Sequence, residues 1–443
     1  RKARLDGEDH VLLDGLEGLA GVLLPGRSQE GGAIVGEATH LVAQTVGELL
    51  ITLGDDVPPG DPVDLHPLNP RLQGRPGLLD GGDDGVEALL DLRRRLRLSL
   101  LEEIEGPLKI RGVILHLEAE VHVQDMAPFH LPVRGLVVGA CGVGAGDEVI
   151  VPPFTFVADI EAVLWLGAIP VFAEIDGTLC LDPTSVEAKL TSKTKAVLVV
   201  HMCGAMARID VLAEVCERRG VTLIEDVAQA VGSSFRGRAL GAFGRAGVYS
   251  FDYVKTITCG EGGAIITDDA ALQDTIQAFT DHGHDHRGVD RGADLHPILG
   301  LNFRISELHS AVGLAQLRKL DDILSRQRQA KRTLKAGLQG LDRVSFRDLP
   351  DPEGDSATFL SFFLPTEAEA RTAAKELAGA GVDGCFYWYD NNWHYHRRWE
   401  HLKGLKSVAN LPLQLREQFA RRNSWGHPKS DHWMGRTLSV LIK

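Results

Sequence analysis

The chain has 443 residues, 44% of them hydrophobic and 24% charged, and a net charge of −14. That length holds two or three domains around a large buried core, with the composition of an ordinary soluble globular protein. The acidic balance argues against nucleic acid or an anionic membrane as partner, and no apolar run is long enough to span a bilayer. The start, Arg1-Lys2-Ala3-Arg4, leads into acidic residues rather than an apolar stretch, so no secretory signal pattern opens it. Six cysteines (Cys141, Cys180, Cys203, Cys216, Cys259 and Cys385) are scattered without a CxxC pair. They read as reduced, buried thiols of a cytoplasmic protein.

Residues 1–135 form an atypical N-terminal segment. Phe129 is the only aromatic residue before Phe154, and clusters such as Asp55-Asp56-Val57-Pro58-Pro59-Gly60 break any periodicity. A core without aromatic anchors is unusual. Two readings stand: a disordered extension, or a wrong reading frame upstream of the folded protein, the second being favoured.

An orderly pattern follows, and residues 136–305 read as a large domain. Val149 to Val151 is a short strand closed by Pro152-Pro153, and a helix follows to about Leu166. Pro170 to Ile175 is a strand, Thr184 to Leu190 a helix, and Ala196 to Val200 an apolar strand. Helix Ile209 to Arg219 stops at Gly220, a residue suited to a left-handed helix terminus. Strand Val221 to Ile224 then ends in Glu225-Asp226. Short apolar strands alternating with helices predict an α/β fold with a mainly parallel sheet, whose ligands sit beyond the strands' carboxyl ends. Asp226 lies at such an end.

One long helix is expected from Ser306, a good N-cap, towards Leu334, linking the domains over 306–340. Its apolar face would carry Leu308, Val312, Leu317, Leu320 and Leu324. Residues 341–443 read as a smaller C-terminal α+β domain, with a strand from Phe359 to Leu364 and a helix from Glu367 to Ala380.

Four motifs fall in a fixed order: Glu225-Asp226-Val227-Ala228-Gln229, Ser250-Phe251-Asp252-Tyr253-Val254-Lys255, Gly260-Glu261-Gly262-Gly263-Ala264 and Asn302-Phe303-Arg304. From about Gly135 onward the chain resembles the sugar aminotransferases of the DegT/DnrJ/EryC1/StrS family, pyridoxal 5'-phosphate (PLP) enzymes of fold type I. The resemblance implies that Lys255 is the Schiff-base lysine and Asp226 the partner of the ring nitrogen. It places Gln229 near the phenolic oxygen, Ser250 on the phosphate and Phe156 on the ring face. Asn302 would reach the phosphate of a neighbouring subunit, which implies a homodimer with shared sites. That chemistry needs a lysine able to lose its charge and a carboxylate that keeps the pyridine ring protonated.

Asp281 to His286, Asp351 to Ser356 and Gly381 to Tyr395 are similar to members that aminate a Kdo-type sugar aldehyde for lipopolysaccharide, with L-glutamate as donor. On that likeness His282, His284, Tyr387 and Trp393 are expected substrate contacts. HxHxH at 282–286 is a weak metal signal without a further ligand set, and no metal is expected.

One departure stands out. The family's Ser-Gly-Thr motif, about a dozen residues before Gly146-Asp147-Glu148, has no counterpart in Pro128-Phe129-His130-Leu131-Pro132-Val133. Several charge-assisted hydrogen bonds to phosphate, at about 1.5–3 kcal/mol each, are then missing, which predicts weakened cofactor binding. A degenerate, non-catalytic protein on the same fold, or another nucleotide-sugar aminotransferase, is the alternative. A related dehydratase is disfavoured because Lys255 is present, and a nicotinamide dehydrogenase because no GxGxxG opens a helix after a strand.

Overall fold

The computed structural model describes residues 113–116 and 130–442, apart from 289, 290, 383, 408–410 and 424. They belong to one compact unit, Glu102–Lys443. The two readings of residues 1–135 fall mostly outside the described residues. So does the region of the missing motif, of which only the Val133 side chain is described.

A seven-stranded sheet forms the centre, built from β1 (Val113–His116), β2 (Glu148–Val151), β3 (Ile169–Phe172), β4 (Thr194–Val200), β5 (Thr222–Asp226), β8 (Ala246–Ser250) and β9 (Gly263–Ile266), with the hairpin β6 (Ser234–Phe235) and β7 (Arg238–Ala239) outside it. The order across the sheet is β1-β9-β8-β5-β4-β2-β3. Strands β3, β2, β4, β5 and β8 pair in parallel, while β9 runs antiparallel to both of its neighbours. The parallel strands are short, apolar and buried almost throughout, as a sheet covered on both faces requires.

The helices are α1 (His130–Ala140), α2 (Ala158–Trp165), α3 (Pro183–Lys189), α4 (Ile209–Arg219) and α5 (Ala270–Thr280). The stretch read as an atypical segment therefore contributes the edge strand β1 and the start of α1. Gly220 ends α4 at φ 65°, ψ 32°, and its amide bonds back to Glu217 O at 3.1 Å, the expected left-handed stop.

The expected single linking helix is two: α6 (Glu307–Leu317) and α7 (Leu320–Leu338). Ser306 does cap α6, accepting from the His309 amide. Val312 and Leu317 are five residues apart, a spacing that carries the apolar stripe off a single helix face, and the backbone breaks at Arg318-Lys319. Leu308 and Leu317 are exposed, whereas Leu324 is buried. Val312, Leu320 and Ile323 pack with Ile305 against Val231, Phe251, Ile257, Cys259 and Ala264, a small second core beneath the loop that carries Lys255.

The C-terminal part has a four-stranded antiparallel sheet in the order β10-β11-β13-β12, from β10 (Ser345–Phe346), β11 (Phe359–Phe363), β12 (Cys385–Phe386) and β13 (Thr437–Leu441). The helix predicted from Glu367 is α8 (Glu367–Gly379), capped by Thr366. The short helices α9 (Glu400–Lys403), α10 (Leu413–Arg422) and α11 (Pro428–Met434) complete it. This part docks on the large sheet through aromatic rings: fully buried Trp399 lies 6.4 Å from Phe172 of β3, centroid to centroid. Removing that indole leaves a large cavity, so Trp399→Ala should cost about 3–5 kcal/mol. Urea denaturation should show a lower midpoint with an unchanged slope.

Candidate functional site

The carboxyl ends of β4, β5 and β8 converge. Asp226, the last residue of β5, is in register with Val248 of β8, and Ser250 ends β8 two residues further on. The His201 amide, just past β4, donates to Asp226 O at 3.0 Å. Beyond β8 the chain turns over Asp252: its side chain accepts the Val254 amide at 2.8 Å, and its carbonyl accepts the Lys255 amide at 3.0 Å. The turn sends Lys255 back towards the strand ends, where Asp252, Arg134, Asp226 and Asp159 all act on its charge.

Asp226 is buried, at 1% exposure, and so is its neighbour Asp159 at 0%. Between them lies Arg134 of α1, 3% exposed. Its Nε and Nη2 are each 2.5 Å from Asp226 Oδ2. The same Nε is 2.5 Å from Asp159 Oδ1, an ion-pair distance out of line for a hydrogen bond. The Ala228 amide donates to Asp226 Oδ1 at 2.7 Å, and the Thr155 hydroxyl donates to Asp159 Oδ2.

One cation cannot hold two buried carboxylates ionised, and the two acids separate accordingly. Burial, with repulsion from Asp226, pushes Asp159 up to about 8 against the pull of Arg134. Burial works against the charge of Asp226 too, but Arg134 and the Ala228 amide outweigh it and hold Asp226 below its usual value. At neutral pH the trio is therefore an arginine cation, an Asp226 carboxylate and a neutral Asp159. Burial pushes the Lys255 ammonium below the ordinary lysine value; Asp252 opposes that shift and Arg134 adds to it. Glu261, in the glycine-rich turn, is pushed up to about 7 by burial and by Asp252, with Lys255 opposing.

Behind Asp226, His201 Nδ1 accepts the Ala207 amide at 3.2 Å, which leaves Nε2 to donate to Glu225 Oε2 at 3.1 Å. Glu225 also accepts the amides of Gly241, Phe243 and Gly244 at 2.6–2.7 Å. This network fixes the tip of β5 from below.

Of the residues expected from sequence, Asp226, Ser250 and Lys255 lie together at the strand ends. Gln229 lies three residues past Asp226, where its Oε1 accepts the Cys203 amide at 3.0 Å. Phe156 and Trp393 meet face to face, with ring centroids 5.6 Å apart and planes 11° apart. Backbone bonds from Thr155 to His394 O and from Val157 to Trp393 O, both 2.9 Å, tie the loop of the C-terminal part to the segment holding Phe156. Tyr387 instead donates to Gly435 O at 2.9 Å, with the Arg371 guanidinium over its ring.

Asn302 bridges to Asp281, and its Oδ1 accepts the Arg304 amide at 3.3 Å. His282 is exposed at φ 55°, while His284 packs on His296 at 4.3 Å and faces Asp294 at 3.6 Å. No described contact joins either histidine to Lys255 or Asp226. Among the described residues no group of three histidine, cysteine or acidic side chains is placed to hold a metal ion. Nor is any described helix long and apolar enough to cross a membrane.

Arg134, Asp159 and Glu261 were not foreseen as parts of the site. The available signal was Arg134 itself, the only charge but for His130 in the helix His-Leu-Pro-Val-Arg-Gly-Leu-Val-Val-Gly-Ala. A charge in an apolar helix needs a buried partner.

Asp159 gives the trio a pH signature. Its folded pKa, about 8, lies above the ordinary aspartate value near 4. The stability it allows is thus complete below pH ~4 and drains away as pH rises through ~8. Asp159→Asn removes that dependence. The melting temperature of the variant should gain on the wild type by several degrees between pH 5 and pH 9; a constant difference would show that Asp159 is already ionised at low pH.

Residues 135–416 match the DegT/DnrJ/EryC1/StrS aminotransferase family. The chain is 39% identical over 252 residues to the L-glutamine:scyllo-inosose aminotransferase of Streptomyces griseus, covering 55% of this chain and 59% of that protein. It is 37% identical over 210 residues to the GDP-perosamine synthase of Escherichia coli O157:H7, covering 47% and 57%. The chain thus spans somewhat over half the length of these curated relatives. Among solved structures, an aminotransferase from Psychrobacter cryohalolentis superposes with a TM-score of 0.64 at 25% identity, covering 79% of this chain and 85% of that one. The 3-amino-5-hydroxybenzoic acid synthase superposes at 0.61 and 25% identity, covering 83% and 92%. The chain belongs to the DegT/DnrJ/EryC1/StrS aminotransferase family, whose members are PLP-dependent enzymes of this fold.

Proposed function

We propose that this chain is a PLP-dependent sugar aminotransferase. The observation that carries the reading is the meeting of a buried, ionised Asp226 with a desolvated Lys255 at the carboxyl edge of the sheet. The donor set fits PLP at its reactive end. A lysine depressed by burial has a larger share of free amine, and a carboxylate held ionised can pair with a protonated ring nitrogen. In this reading Asp226 takes the ring nitrogen, Gln229 lies by the phenolic oxygen, Ser250 holds phosphate and Phe156 lies on the ring. Trp393 would back Phe156 from its other face.

Bound PLP supplies an aldehyde that accepts an amino group and a cationic ring that withdraws electrons from the carbon losing its proton. The chain's part is proton handling and orientation. Lys255 Nζ takes the proton from Cα of the amino donor and returns it when the acceptor is aminated. Asp226 would keep its charge through both halves because the Ala228 amide bonds it and a positive charge stands beside it. Phe156, backed by Trp393, would orient the ring by covering one of its faces.

For the acceptor we favour a Kdo-type sugar aldehyde, giving 8-amino-3,8-dideoxy-manno-octulosonate for lipopolysaccharide, with Trp393, Tyr387, His282 and His284 as candidate sugar contacts. L-glutamate is the favoured donor. L-glutamine is the second reading, because relatives at 39–43% identity are named for it. Asn302 is assigned to a neighbouring subunit's phosphate in a cytoplasmic homodimer.

Titration with PLP should produce a visible absorption band that borohydride discharges and Lys255→Ala lacks. L-glutamate or L-glutamine should bleach the band, and the one that does so faster is the donor. A chain that shows no band at saturating PLP, or the same band in Lys255→Ala, would refute the reading.

A further inference from the structure

Asp226 has little left to offer a new partner. Its Oδ1 accepts the Ala228 amide, and its Oδ2 receives both Nε and Nη2 of Arg134 at 2.5 Å. A carboxylate oxygen accepts about two hydrogen bonds, so Oδ2 is saturated by the arginine. The charge is matched as well, one guanidinium against one carboxylate. A second cation at Asp226, with Arg134 still in place, would leave the buried cluster with an unbalanced positive charge, which is costly away from water.

Asp159 offers the way out. Its Oδ1 already lies 2.5 Å from Arg134 Nε, misaligned for a hydrogen bond, and Thr155 steadies its other oxygen. A small rotation of the guanidinium would exchange one carboxylate for the other.

Building on the aminotransferase reading, we propose that Arg134 and the cofactor's ring nitrogen compete for Asp226, and that cofactor loading transfers Arg134 from Asp226 to Asp159. The exchange balances. Asp159 gives up its proton, the ring nitrogen gains one, and the buried cluster ends with two cation–carboxylate pairs: ring nitrogen with Asp226 and Arg134 with Asp159. Arg134 is thus a positioning residue acting through Asp226, and Asp159 is the seat that receives it.

The test uses the full chain and two probes, PLP and its analogue with C–H in place of the ring nitrogen. Dissociation constants come from tryptophan quenching and visible absorption. Asp159→Asn keeps the arginine on Asp226, since the amide cannot take over its charge. That variant should bind PLP at least about tenfold more weakly than wild type, the worth of one charge-assisted hydrogen bond, while the analogue binds both alike. Arg134→Met removes the competitor and should tighten PLP by about tenfold or more without helping the analogue. Equal loss of both probes in Asp159→Asn, or unchanged preference for PLP over the analogue, would overturn the transfer. Should Arg134→Met not fold, the Asp159→Asn comparison decides alone. A wild type with a lysine-dependent band but an Asp159→Asn variant of unaltered preference sinks this inference only. A wild type that takes up no PLP sinks the cofactor reading and this inference together.

Discussion

Two acids and one arginine share a buried space, and the edge of the sheet is organised around that shortage of positive charge. Because Arg134 cannot satisfy both acids, Asp226 stays ionised and Asp159 holds a proton. Asp226 keeps its advantage through the backbone: the Ala228 amide bonds it, and the Glu225–His201 network fixes the strand on which it sits. Lys255 faces the result. Its half-buried side chain lies beside a cluster of mixed sign, and desolvation favours the neutral amine there more than water does.

Much of this was legible from sequence. The parallel sheet followed from short apolar runs separated by helices, and β4 and β5 fall within two residues of their expected bounds. Asp226 was placed at a strand end because acidic residues directly follow the apolar run, and that is where β5 stops. Gly220 was read correctly because a left-handed helix terminus is a local requirement that glycine meets without strain. The pairing of Asp226 with Lys255 came from the family resemblance that the ordered motifs carry, since the 28 intervening residues hide it from any local pattern.

The rest depended on contacts between distant residues. Arg134 lies 92 residues from Asp226, in a helix whose start falls in the stretch read as atypical. The linking helix was misread because helix-forming residues continue through Arg318-Lys319, while the apolar spacing slips there. Tyr387 and Trp393 were expected alike as substrate contacts; the fold turns Tyr387 to Gly435 and Trp393 to Phe156. Composition marks such residues as aromatic; only the fold of the C-terminal part decides which surface each one covers.

Strand β1 has a role apart from the chemistry. It lies antiparallel along β9, from Val113 opposite Ile266 to His116 opposite Gly263, and so occupies the outer hydrogen-bonding groups of a strand that reads Gly-Ala-Ile-Ile. Without it, β9 would present a short, uncharged, aliphatic rim with unpaired amides and carbonyls, a template for joining other chains edge to edge. Any change upstream that replaced Val113–His116 would therefore be felt first as self-association during expression, before any loss of chemistry could be measured.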